Sequence, residues 1–289
     1  MTTGSVTPID KSGFGAYVNL SVEGQVFDGS FSKFLLDALE SHSVLVLKES
    51  ALKSETFVGL AASMGNLEIL PEAEKRNTEF PAIFDLTNVG EDGHIVQFDE
   101  PQSVFLRGTE RWHTDSSFRE IPCLCTLLNA VEVPEQGGNT LFADMRAAYE
   151  AIPEDLKLIV DSLKVVHSYA YSRANNPGKL EEMSQAELAK YPPATHPLIR
   201  THADGSRSFY MGGHASHLEG MPVDEGRNLL SELLEISTQK QFVYSHQWSP
   251  GDLVIWDNRS TLHRLEPYDI AGHRRIMRRI TVKGTEIVR

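Results

Sequence analysis

Two residues in the segment Trp112-His113-Thr114-Asp115-Ser116-Ser117-Phe118 are of types that hold metal ions. In an extended segment, positions i and i+2 project to the same side, so the His113 imidazole and the Asp115 carboxylate converge. A second, distant histidine would complete a two-histidine, one-carboxylate triad. Such a triad leaves three positions of an octahedral Fe(II) open for co-substrate and oxygen. A His-X-Asp pair alone is a weak signal, because so short a pattern occurs by chance far more often than it binds metal. The stretch Gly251-Asp-Leu-Val-Ile-Trp-Asp-Asn-Arg-Ser-Thr-Leu-His263 offers the partner: a strand, a turn and a histidine on the returning segment. Eleven residues later begins Arg274-Arg275-Ile-Met-Arg278-Arg279. If that run is extended, Arg275 and Arg279 share one face, and Arg274 and Arg278 the opposite one.

The elements that must position these residues are mostly strands. Apolar residues at 31, 34, 35, 38 and 39 give Ser30–Ser43 helical spacing. Val44–Lys48 is a short β-type run, and Ser54 is expected to cap a second helix ending near Gly65. Residues 71–81 and 90–111 are rich in Pro, Gly and charge and read as loops around a strand, Ala82–Val89. From 122 onward strand-like segments dominate: Cys123–Val133, Thr140–Asp144, Val165–Ala170, Leu198–His202, Ser208–Gly212, Phe242–Trp248, Leu253–Asp257 and Arg274–Lys283. Helices are expected at 145–163 and 223–239. Many strands with few external helices predict a mainly β fold with flanking helices, a double-stranded β-helix or jelly-roll barrel. No linker or repeat divides the 289 residues, so the whole chain, 1–289, is expected to be one domain.

Composition excludes several classes. The formal net charge of −13 repels phosphate backbones, which argues against nucleic acid as a partner. The first residues lack a basic stretch followed by an apolar core, and no run approaches the ~20 apolar residues of a membrane span. The expected location is the cytoplasm, without a membrane partner. Cys123 and Cys125 are too close on one strand to form an unstrained disulfide and read as small buried hydrophobes.

The string WDNRSTLH followed by RRIMRR resembles the C-terminal signature of the taurine and 2,4-dichlorophenoxyacetate dioxygenases. The stretch Gly137-Gly-Asn-Thr140-Leu-Phe-Ala-Asp144 is similar to that family's Gly-Gly-Asp-Thr segment. His214-Ala-Ser-His217-X-Glu-Gly and Phe242-Val-Tyr point to the dichlorophenoxyacetate branch, and the likeness runs from about residue 43 to 284. The resemblance implies an Fe(II)- and 2-oxoglutarate-dependent dioxygenase that uses O2, with ascorbate as a reductant in vitro. His113, Asp115 and His263 would be the metal ligands. Thr140 and Arg275 would hold the far carboxylate of 2-oxoglutarate, a task for which a planar guanidinium suits better than lysine. The interval from His263 to Arg275 is one residue longer than usual, so Arg274 competes for this role; the pair 275/279 pointing inward is the consistent choice. Arg279 matches the residue that meets the substrate anion in taurine dioxygenase, and His214 lies in a segment near the substrate pocket. The substrate is therefore expected to be a small organic acid, oxidised at a C–H bond with release of succinate and CO2, and the protein a homo-oligomer, dimer or tetramer.

Two departures bear on substrate. Where dichlorophenoxyacetate dioxygenases carry lysines, this chain has Ile69-Leu-Pro-Glu-Ala-Glu-Lys75, which aligns only with a gap, and His94. The resemblance therefore does not carry phenoxyacetate over as substrate. Desaturation or cyclisation could follow from the same cofactor chemistry. A non-oxoglutarate metal enzyme of the cupin type would share the triad but have no use for Thr140 and Arg275. Other conspicuous residues have plain readings: His167, His196, His202 and His246 as core or surface histidines, Asp257, Asn258 and Arg259 as turn formers, Trp112 and Trp256 as packing.

Overall fold

A computed structural model describes residues 4–22, 24–69, 76–90, 92–178 and 182–289. Its largest sheet has seven strands in the order β1 (Ser5–Pro8), β2 (Ala16–Asn19), β3 (Val44–Leu47), β13 (Leu253–Asp257), β5 (Cys123–Glu132), β15 (Ile276–Lys283), β4 (Phe84–Thr87). All neighbours pair antiparallel except β2 with β3. A three-stranded sheet runs β12 (Val243–His246), β6 (Thr140–Asp144), β14 (Thr261–Leu265). A second one runs β11 (Ala215–Leu218), β7 (Lys164–His167), β8 (Ala194–Pro197), and β9 (Ile199–Thr201) pairs with β10 (Arg207–Phe209).

The helices flank these sheets: α1 (Gly29–His42), α2 (Ser54–Met64), α3 (Pro101–Arg107), α4 (Met145–Ala151), α5 (Glu154–Val160), α6 (Tyr169–Ala174), α7 (Gln185–Lys190) and α8 (Val223–Ser237). Three apolar cores separate the layers. Phe31, Leu35, Ala38 and Leu39 of α1, with Phe57 and Leu60 of α2, pack on Leu45, Leu127, Leu253 and Ile280 of the large sheet. The other face of that sheet offers Val46, Leu128, Val254, Trp256 and Met277 to Phe142 of β6 and to Trp248. Behind the small sheets, Met145, Ala148, Leu230 and Leu233 close the third core. This is period-2 logic on a sheet covered on both sides: even and odd residues both meet apolar partners, so the strands read as continuous apolar runs.

The fold is thus mainly β with flanking helices, the jelly-roll arrangement. Among the described residues no continuous ladder closes it into a barrel; the two main sheets face one another across the apolar layer that holds Phe142, Val254 and Trp256. Several local expectations need correction. Lys53, not Ser54, is the cap residue of α2, and it makes no side-chain capping bond; α1 carries the working cap, Asp28 accepting from Ser30 N and Phe31 N at 3.0 Å each. The expected helix 145–163 is broken, because Pro153 cannot donate a helical hydrogen bond and becomes the cap of α5. The expected loop 90–111 contains α3, with Pro101 in its first turn, where a missing N–H costs nothing. The segment 70–75, which includes most of the gapped loop, lies outside the described residues.

Candidate active site

The site lies between the large sheet and β14. His263 sits mid-strand on β14, and His113 approaches it on an otherwise irregular segment. The two exchange main-chain hydrogen bonds, His113 N to His263 O at 3.0 Å and His263 N to His113 O at 2.8 Å. Their rings are 4.1 Å apart between centroids. Gly212 lets a second chain segment cross this point: a Cβ there would stand 3.2 Å from the His113 Cα, and its φ of +120° disfavours any L side chain. Two residues past His113, Asp115 brings its carboxylate to the same side. One donor atom from each of His113, Asp115 and His263 lies within 4.8 Å of the others, with His263 Nε2 3.8 Å from Asp115 Oδ2.

The protonation states suit a divalent cation. His113 Nδ1 donates to the Arg111 carbonyl at 2.7 Å, which leaves Nε2 with its lone pair. Burial pushes both imidazoles below their ordinary pKa, so they stay neutral. Burial also disfavours charge on Asp115, but the Arg279 guanidinium leads a group of neighbours that outweighs it and holds the carboxyl well below its usual range. Two neutral imidazoles and one carboxylate are the deprotonated donor set that metal binding requires. His263 Nδ1 is buried and without a partner among the described residues, and the ring packs on Trp256 at 4.6 Å.

The arginine run divides between the two faces of its strand. Arg274 is half-exposed, pairing with Glu132 at 2.9 Å and donating to Gly93 O at 2.8 Å. Arg278 points to the start of α2, where it reaches Ser54 Oγ at 3.2 Å, and it also donates to Asn129 Oδ1 of β5 at 2.7 Å. Arg279 faces the opposite way, with Nη2 3.2 Å from Asp115 Oδ1. Arg275 is 6% exposed, and its main-chain N donates to Asn88 Oδ1 at 2.7 Å. Its guanidinium has no ion pair or side-chain hydrogen bond among the described residues, and Nε is buried without a partner. Burial draws its pKa down to about 10, with Tyr268 the only opposing influence. It lies beside Gly138, where a Cβ would be 3.5 Å from Nε. Two residues on, Thr140 opens β6 and faces the same way as Phe142, which pairs with His263. The Thr140 hydroxyl accepts from Trp248 Nε1 at 3.0 Å, so its own proton remains to be donated.

Next to His113, Asp115 and Arg279 opens a cavity of about 150 Å³, walled by Phe84, Phe105, Phe118, Tyr169 and Tyr191 and by His214. His214 Nδ1 meets Ser117 Oγ at 3.1 Å, and the ring stands edge-on to Phe118 at 5.1 Å; burial pushes its pKa down to about 3. The aromatic walls were not singled out in the sequence, because they come from five separate segments. Of the residues read plainly, His167, His196, His202 and His246 are all buried, and both cysteines are free and buried. Asp257 does shape the turn, accepting from Arg259 N at 2.8 Å, but Asn258 turns inward.

Two facing sheets with a two-histidine, one-carboxylate face at their edge define the architecture of non-haem iron oxygenases. Residues 5–281 match the family described as taurine catabolism dioxygenase TauD, TfdA family, and the chain belongs to that family. It is 41% identical over 248 residues to the alpha-ketoglutarate-dependent 2,4-dichlorophenoxyacetate dioxygenase of Cupriavidus pinatubonensis, covering 84% of this chain and 86% of the relative. It is 31% identical over 290 residues to pentalenolactone F synthase of Streptomyces arenae, covering 95% and 94%. The crystal structure of AAD-2 in complex with Mn(II) and N-oxalylglycine superposes with a TM-score of 0.89 at 35% identity, over 99% of this chain and 100% of that one.

Proposed function

We propose that this protein is an Fe(II)- and 2-oxoglutarate-dependent oxygenase that hydroxylates a C–H bond of a small organic acid carrying an aromatic or similarly flat apolar body. His113, Asp115 and His263 hold the metal. Bound iron supplies the activation of O2 that couples decarboxylation of 2-oxoglutarate, to succinate and CO2, with oxidation of the substrate. Arg275 grips the far carboxylate of 2-oxoglutarate, and the free proton of Thr140 adds a second contact. The single observation that carries this reading is the unpaired, buried guanidinium of Arg275, which lies beside Gly138, two residues before the Thr140 that opens the strand pairing with β14 and His263. A buried cation without a counter-ion is costly, and a dicarboxylate that also reaches the metal removes that cost.

On the substrate side, the ring-lined cavity accommodates a body about the size of benzene. Arg279, at its edge, meets the substrate's anion while still touching Asp115, and His214, held neutral, orients the substrate by hydrogen bonding. The likeness to pentalenolactone F synthase supports a second outcome of the same cofactor chemistry, desaturation or ring formation in place of hydroxylation. A non-oxoglutarate metal enzyme leaves Arg275 without a task. The test is succinate release from a panel of aryl and alkyl acids under Fe(II), ascorbate and O2, with mass analysis of the products. No succinate above background with any acid overturns the reading.

We further infer a cytoplasmic homo-oligomer, dimer or tetramer. No described helix is long and apolar enough to cross a membrane. Light scattering on the purified protein gives the oligomeric state.

A further inference from the structure

Asn258 belongs to the turn that links β13 to β14, where its residue type alone explains its presence. Its side chain does something else. It is 1% exposed and makes contacts on both sides of its carboxamide. Trp256 Nε1 and the Asp115 main-chain N can only donate, and they lie 3.0 and 3.2 Å from Oδ1. The orientation of the amide is therefore fixed, with Nδ2 turned to Thr126 Oγ1 at 2.9 Å. A hydroxyl has one proton. Because Thr126 receives a hydrogen bond from Asn258, its own proton is directed to Asp115 Oδ2, at 2.7 Å. Thr126 is fully buried mid-way along β5, paired with Trp256 on one side and Thr281 on the other, so nothing in its surroundings lets it swing away. The main chain is tied as well, since Thr114 Oγ1 donates to the Asn258 carbonyl at 2.7 Å.

We propose that Asn258 and Thr126 are positioning residues for the Asp115 carboxylate. Asn258 sets the direction of the Thr126 hydroxyl, which in turn fixes which way the carboxylate faces. The chain is directional: reversing the amide would give Thr126 an acceptor and take its proton away from Asp115. This inference rests on the reading of Asp115 as a metal ligand. Partners that hydrogen-bond a ligating carboxylate typically matter by roughly 10–100-fold in metal affinity or activity.

The experiment measures anaerobic Co(II) binding to the full chain, by visible absorption and chelator competition, together with the apo melting temperature. The variants are Asp115→Ala, Thr126→Val, Thr126→Ser, Asn258→Ala and the Thr126→Val/Asn258→Ala double. Thr126→Val is expected to weaken Co(II) binding by roughly 10–100-fold and to alter the Co(II) spectrum, and Thr126→Ser to restore both. The double variant is expected to bind no worse than the weaker single, because both residues act through one carboxylate. Should Asn258→Ala fail to fold, Asn258→Asp keeps the acceptor and removes the donor, and is expected to lose at least as much affinity as Thr126→Val. If Asp115→Ala binds Co(II) like wild type, the metal-site reading itself is wrong. If Asp115→Ala abolishes binding while Thr126→Val binds normally, or if the losses add in the double variant, the positioning proposal is overturned and the metal site stands.

Discussion

His113 and His263 are directly opposed residues that trade both main-chain hydrogen bonds, at 3.0 and 2.8 Å, in a stretch where no ladder continues beyond them. The backbone of each histidine is therefore fixed by the other, and the rings are then oriented by the Arg111 carbonyl for His113 and by Trp256 for His263. Removing the side chains of His113, Asp115 or His263 leaves that scaffold in place. Each Ala variant is expected to lose succinate production entirely while keeping the far-ultraviolet spectrum of the wild type. Full turnover in any one of them removes it from the ligand set.

The two adjacent arginines are expected to behave very differently. Arg274 has a half-exposed partner in Glu132, and such surface pairs contribute ~0–1 kcal/mol. Arg274→Gln should leave the KM for 2-oxoglutarate within a factor of a few. Arg275→Gln removes a charge-assisted grip of roughly 2–5 kcal/mol, so KM should rise about 30-fold or more. In the absence of 2-oxoglutarate the same variant should melt no lower than wild type, since it deletes a buried cation without a partner. Reversed kinetic effects would move the grip to Arg274.

Arg279 touches Asp115 and also borders the substrate cavity. Paired kinetics on an acid and its methyl ester separate the two roles. Wild type should prefer the acid, and Arg279→Ala should raise the KM for the acid much more than that for 2-oxoglutarate. A mutant that handles the acid normally, or a wild type that prefers the ester, makes Arg279 a structural partner of Asp115 alone.

Acid lability should follow His202. Burial, helped by Arg146, Arg200 and Arg259, pushes its pKa down to about 3. Arg146 Nη2 can only donate, so Nδ1 accepts at 3.2 Å and Nε2–H donates to Ser208 Oγ at 2.8 Å. That neutral tautomer is locked in the fold. The unfolded chain titrates near 6.5 and so binds more protons than the native state at any pH between the two values. The contribution to stability is complete above about pH 6.5 and declines by about 1.4 kcal/mol per unit as pH falls, so that about 2 kcal/mol of it is lost by pH 5. Gln can accept from Arg146 and donate to Ser208 without titrating. Urea unfolding of His202→Gln should thus show a shallower loss between pH 6.5 and 5; an unchanged slope discounts His202.

Much of this site could be read from residue order. Alternation along Arg274–Arg279 separates the arginine pairs, and the i, i+2 spacing of His113 and Asp115 brings those side chains together, because both depend only on local extension. The bulge between Ile276 and Met277 leaves Arg275 just outside the regular strand, yet its burial follows the same division. What stayed hidden depends on tertiary direction. Asn258 has the residue type of a turn former, and nothing in its neighbours along the chain tells that its amide faces Asp115. Thr126 is one polar residue in an apolar strand, and the five aromatic walls converge only through packing. The helix broken at Pro153 and the short α3 are errors of boundary, where one proline decides.

The bond from Thr114 to Asn258 joins residues 144 positions apart, and the bridge between His113 and His263 closes a comparable loop. Contacts of such separation form only after the entropy of a long loop has been given up, and chains dominated by them fold slowly. His263 lies on β14, whereas His113 and Asp115 lie on an irregular segment outside both main sheets, so the three donor atoms meet only once that segment docks on β14. On the proposed ligand set, the rate at which a refolding chain becomes able to bind Co(II) should report that long-range docking step.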